Sequence, residues 1–119
     1  MAMSATLKVA CTVVLMCMMV ACPHVDATIT CIEVTALLSP CINYGINGGA
    51  VPPECCVGVK GIHVASKTTE DRRTACSCIQ AGAALIPGIN YDLINSLPTQ
   101  CGVNCNYTVY PSTDCSRVS

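Results

Sequence analysis

Phenylalanine and tryptophan are both missing from the 119 residues, and the aromatics are four tyrosines, Tyr44, Tyr91, Tyr107 and Tyr110. Without large rings, a small domain must fill its interior with aliphatic side chains or leave part of it hollow. Charge is scarce too: six Lys and Arg stand against seven Asp and Glu, a formal net charge of −1. A nucleic-acid binder needs a concentrated basic stripe, and this chain has none. The catalytic inventory is equally thin. His63 has no evident partner, and neither a Gly-rich phosphate loop nor a carboxylate pair with a nucleophile is visible. The residues therefore give no reason to expect an enzyme or a cofactor. The length excludes a large multidomain protein.

What is present begins with an apolar N-terminus. After a single lysine, Lys8, the stretch Val9–Val20 carries no charge, and Val25-Asp26-Ala27 places modest or small residues before Thr28. This three-part pattern reads as a secretory signal peptide over residues 1–27, leaving a mature domain of residues 28–119. About 12 apolar residues fall short of the roughly 20 that a spanning helix needs. The mature net charge is again −1, from Lys60, Lys67, Arg72, Arg73 and Arg117 against six acids.

Cysteine is the abundant residue, with twelve in the chain and nine after residue 27. Such density in an exported chain reads as a disulfide scaffold. Zinc is the other use of clustered cysteines. There is no Cys-x2-Cys pair, however, and His63 is the sole mature histidine, so no metal site is expected.

Periodicity and punctuation predict four short helices and a long tail. Thr30-Cys31-Ile32-Glu33 reads as a capping box, followed by Val34, Leu37, Leu38, Cys41 and Ile42 on one face. Pro40 should kink this helix and Asn47-Gly48-Gly49 should end it. Pro52-Pro53-Glu54 opens a second helix with Cys56, Val59 and Ile62-His63 turned inward. Thr68 caps a third, whose apolar positions Ala75, Cys76, Ile79 and Ala83 are small or slender. Asn90 caps a fourth through Leu93, Ile94 and Leu97, which Pro98 is expected to close. After Cys101 no period survives.

With Cys105 set aside, the spacing is Cys31-x9-Cys41-x13-Cys55-Cys56-x19-Cys76-x-Cys78-x22-Cys101-x13-Cys115. An adjacent pair and a Cys-x-Cys within eight cysteines resembles the plant non-specific lipid-transfer proteins, over the whole mature chain. Cys55-Cys56-x-Gly58-Val59, Thr68-x-x-Asp71-Arg72 and Leu97-Pro98-x-x-Cys101-Gly102-Val103 look like the type 1 subfamily. Spacing alone leaves 105 pairings open. The resemblance implies Cys31–Cys78, Cys41–Cys55, Cys56–Cys101 and Cys76–Cys115, each stabilising by about 3–4 kcal/mol on the loop-entropy model.

The resemblance also implies an all-α fold of four helices and an irregular tail around an elongated apolar tunnel. Its walls are expected from Val34, Leu37, Leu38, Val59, Ile62, Ala75, Ile79, Leu97, Val103 and Val109. An empty acyl pocket of about 300 Å3 costs roughly 7 kcal/mol, which the cross-links offset. At the mouth, the family's Arg and tail Tyr correspond to Arg72 and Tyr107. A guanidinium suits a carboxylate or phosphate because its donors engage two oxygens at once. The implied role is an extracellular or cell-wall carrier of fatty acids, phospholipids and lysolipids, touching membranes transiently. A secreted amylase or protease inhibitor, or a membrane-active defence protein, is the alternative on the same cysteine frame.

Three features depart from the family. The tail reads Asn106-Tyr107-Thr108-Val109-Tyr110 where the family shows Pro-Tyr-x-Ile-Ser. The mature chain is slightly acidic where the family is commonly basic, which weakens any attraction to anionic membranes. Cys105 is a ninth cysteine, expected outside the bridges in a monomer and a candidate for linking two chains, and Asn106-Tyr107-Thr108 is an N-glycosylation acceptor sequence.

Overall fold

The computed structural model describes residues 29–119, so the expected leader over residues 1–27 lies outside the described residues. These residues form α1 (Cys31–Leu38), α2 (Ile42–Asn47), α3 (Pro53–Ala65), α4 (Thr69–Ala84) and α5 (Tyr91–Gln100). A 3-10 turn, Ser39–Cys41, joins α1 to α2, so the two are one interrupted helix and the fold has four helical arms. Among the described residues there is no strand.

Local chemistry explains the boundaries. Thr30 Oγ1 accepts from the Glu33 N–H at 3.2 Å, and Thr68 Oγ1 from the Asp71 N–H at 3.1 Å. Asn90 Oδ1 accepts from Asp92 N–H at 2.9 Å, giving α5 its start. Pro40 cannot donate to the Ala36 carbonyl; the Ser39 hydroxyl does so at 3.1 Å, and the helix tightens for one turn. Gly48 ends α2 at φ 72°, backbone space that a side chain rarely enters.

Pro98 corrects the sequence reading, because α5 runs two residues past it. A proline removes only its own donor and disturbs the carbonyl four residues back. Beyond it, Cys101 N–H still reaches Leu97 O at 2.8 Å and Val103 N–H reaches Pro98 O at 2.7 Å.

Four disulfides fasten the arms: Cys31–Cys78 ties α1 to α4, Cys41–Cys55 the 3-10 turn to α3, Cys56–Cys101 α3 to the end of α5, and Cys76–Cys115 α4 to the tail. Where α1 crosses α3 the backbones nearly touch. A Cβ built on Gly58 would lie 1.8 Å from Leu37 O, so only glycine fits.

The tail beyond α5 is irregular except for a final 3-10 turn, Cys115–Arg117. Side chains of the helices hold it. The Asn95 amide donates to Val109 O at 2.9 Å and accepts from Val109 N–H at 2.8 Å, copying a strand partner. Gln80 Nε2 donates to the carbonyls of Tyr110 and Thr113, both at 2.8 Å, and Arg73 Nε to Val118 O at 2.8 Å. These bonds replace the ladder that the segment lacks.

Candidate functional site

The helices do not close onto a solid core. Buried residues gather in three separate clusters, around Tyr44 and Val59, around Val34 and Ala75, and around Cys76 and Val109. Between them lie two cavities of about 170 and 290 Å3. Leu38, Ile79, Ile94 and Leu97 line both, so the two spaces share a waist.

The larger cavity is apolar, bounded by Val34 and Ile42 on one side and by Ala83, Ile86 and Ile89 at the far end. Leu85 stands at its rim, 84% exposed. The smaller cavity has a polar end. Val59, Ile62 and Val103 continue its greasy wall, but Ser66, Arg72, Asn104, Asn106 and Tyr107 complete it, with Cys105 and His63 beside them.

Seven of the ten expected wall residues therefore face one cavity or both. The remaining three pack elsewhere. Leu37 lies over Gly58 and Gly61 of α3, Ala75 is sealed in the cluster between α1 and α4, and Val109 sits with Cys76, Cys115 and Val118 beneath the tail. Helical spacing finds a buried face but does not say whether that face meets protein or void. The far-end residues Ile86 and Ile89, on either side of Pro87-Gly88, lie between α4 and α5 and share no helical period that could have pointed to them. Ser66 gave no signal at all.

Arg72 and Tyr107 do come together at the polar end. Arg72, however, is occupied. Its Nε donates to Ser119 O at 2.8 Å, its Nη1 to the carbonyls of Lys67 at 3.2 Å and Ser66 at 3.4 Å, and its Nη2 to Thr69 Oγ1 at 3.1 Å. A guanidinium has five N–H groups, so one stays uncommitted. Asp71 is buried and makes no pair with it; among the described residues the ion pair is Asp114 with Arg117. The Cys105 thiol is outside the four bridges, half-buried, and donates to Tyr107 O at 3.4 Å. The exposed Asn106 amide, the group that a glycan would take, points its Nδ2 at Ser119 O at 3.4 Å.

Burial pushes the Tyr107 hydroxyl from 10.0 up to about 12, with Cys105 adding to the rise and Arg72 opposing it. The fold thus prefers the neutral phenol. That preference contributes stability fully below pH 10 and loses it as pH climbs from 10 to 12, where the unfolded chain has already released its proton. Tyr110 also titrates late, because its hydroxyl donates to Asp92 Oδ1. In a phenolate absorbance titration, Tyr107→Phe should remove the highest step and flatten the alkaline loss of stability. An unchanged curve in that variant would contradict this assignment.

Comparisons with known proteins agree with this geometry. Residues 11–115 match the family model described as protease inhibitor, seed storage and LTP family. A non-specific lipid-transfer protein of Gossypium hirsutum is 51% identical over 99% of both chains. Among solved structures, non-specific lipid transfer protein 1 from barley, in complex with a lysophosphatidylcholine, superposes with a TM-score of 0.73 at 35% identity. The wheat non-specific transfer protein complexed with two molecules of phospholipid gives 0.70 at 40% identity. Each alignment covers 76% of this chain and all of the other. With its eight bridged cysteines, four helical arms and paired cavities, the chain belongs to the plant non-specific lipid-transfer proteins.

Proposed function

We propose that the protein is a non-covalent lipid carrier that shelters acyl tails in the two cavities and leaves the head group at the Tyr107 end. The observation that carries this reading is the shared waist: an apolar space runs from the polar end past Leu38, Ile79, Ile94 and Leu97 to the far rim. A chain lying along it exchanges water for aliphatic wall, at about 0.8 kcal/mol per methylene. The barley and wheat relatives, seen with lysophosphatidylcholine and with phospholipid, support the ligand class. Residues 1–27 act as a leader for export, so the work is done outside the cell, at the wall. Leu85 and its neighbours form an apolar lip suited to brief contact with a membrane, where a lipid is taken up or released.

Displacement of a fluorescent fatty acid from the purified domain tests the reading. Palmitate and a palmitoyl lysophospholipid should each displace it saturably, at about one or two molecules per chain, and should raise the melting temperature as binding linkage requires. If neither binds, the carrier reading falls, and the inhibitor reading on the same cysteine frame takes its place.

A further inference from the structure

We infer that Ser66 is a head-group-binding residue, whose hydroxyl is the buried donor for a ligand's anionic oxygen at the polar end of the smaller cavity. The inference rests on the carrier reading and assigns that site a contact which the Arg72 and Tyr107 pair does not supply. Arg72 cannot act as a free two-pronged fork, because four of its N–H groups already hold Ser119, Lys67, Ser66 and Thr69. It keeps its charge and one donor, and it fixes the rim.

Ser66 is in the opposite condition. It comes directly after the last turn of α3, where its N–H donates to Ile62 O at 2.9 Å and its carbonyl accepts from Arg72 Nη1 at 3.4 Å. Its backbone is satisfied. Its Oγ is buried and has no hydrogen-bond partner, the one such side-chain atom among the described residues. The residue lines the cavity together with Arg72 and Tyr107; its Oγ has almost no accessible surface of its own, so a turn about the Cα–Cβ bond carries the hydroxyl to the ligand. The Tyr107 hydroxyl also makes no hydrogen bond among the described residues. A buried hydroxyl without a partner destabilises a protein, and alanine would fill the same place without that penalty. The arrangement is explained if the partner arrives with the ligand. Two uncommitted hydroxyls beside a fixed positive charge suit a carboxylate or a phosphate, since hydrogen bonds to a charged acceptor are the stronger kind.

Ser66→Ala separates a ligand contact from a structural role, because the two move stability and affinity differently. The empty variant should melt at or above the native temperature, having lost an unsatisfied hydroxyl. Its affinity for palmitate, for palmitoyl lysophosphatidylcholine, or for both should fall roughly tenfold, while hexadecanol should lose less than about threefold. Loss confined to palmitate identifies a carboxylate at Ser66; loss confined to the lysolipid identifies a phosphate. Native affinity for all three ligands, or equal weakening of the acids and the alcohol, overturns the assignment. Failure of the native protein to bind any of the three counts against the carrier reading instead, so the two results cannot be confused.

Discussion

Gly58→Ala is expected to lower stability by about 3 kcal/mol or more, a fall of roughly 12–25 °C in melting temperature for a domain of this size. The obstacle is backbone, not side chain. The new methyl would sit 1.8 Å from Leu37 O and 2.7 Å from the Leu37 carbonyl carbon, so α1 and α3 must part. They cannot part freely, because Cys41–Cys55 ties the 3-10 turn that follows α1 to α3 within a few residues of the contact. Two other helical glycines supply the contrast. At Gly61 the methyl meets Leu37 Cδ2 at 3.3 Å, the end of a flexible side chain that can yield, so the cost should stay near 1 kcal/mol or below. At Gly82 nothing lies within 4 Å, and alanine should stabilise α4 by roughly 0.5–1 kcal/mol through its helix propensity. Thermal unfolding with the bridges intact measures the whole series. Equal effects at Gly58 and Gly61 would mean that the close crossing is not there.

Ile79→Trp should reduce palmitate affinity about a hundredfold. Ile79 stands at the waist that both cavities share, and an indole there divides one long space into two short ones. A long chain would then have to leave four or so methylenes outside. At about 0.8 kcal/mol each that is roughly 3 kcal/mol, or two powers of ten in binding. An eight-carbon acid, short enough for one cavity, should lose far less. Stability should change little, since the ring occupies volume that the native chain leaves empty and partly offsets its own crowding. Displacement titrations with acids of eight and sixteen carbons measure the contrast. Equal losses for both lengths would show that the cavities are not used as one.

The helix starts were legible because Thr30, Thr68 and Asn90 carry their own chemistry: a side-chain oxygen reaching the N–H groups of the next turn works in isolation. The interruption at Pro40 was legible for the same local reason. Pro98 reads as a stop in isolation, but its cost depends on the residues after it, and their N–H groups were free to continue α5. The bridges lie between these cases. Spacing announced eight paired cysteines, yet the pairing came from the family likeness, not from the intervals. At the site, the family likeness brought out Arg72 and Tyr107, and residue type supplied only the reason that they suit a head group. It could not show that the Arg72 fork is already engaged by main-chain oxygens contributed by the α3–α4 connection and the chain's last residue. Nor could it show that Ser66 is left without a partner. Those facts exist only once segments far apart in the chain are packed together.

The way the tail is fastened has a mechanical consequence. Val103 is tied to Pro98 and Val109 to Asn95, while Asn104, Cys105, Asn106 and Tyr107, between these two posts, wall the smaller cavity. No helix or strand braces that span. It is a strap fixed at both ends, and such a strap bows outward at far less expense than a helix moves, because opening it breaks few contacts. The compliance of the binding space is therefore one-sided: the sides that helices supply keep their form and the strap side yields to whatever lies beneath it. A container built this way is stiff where helices wall it and soft where the strap does. It tolerates differences in girth, so that a bent or doubled chain fits where a rigid barrel would refuse it.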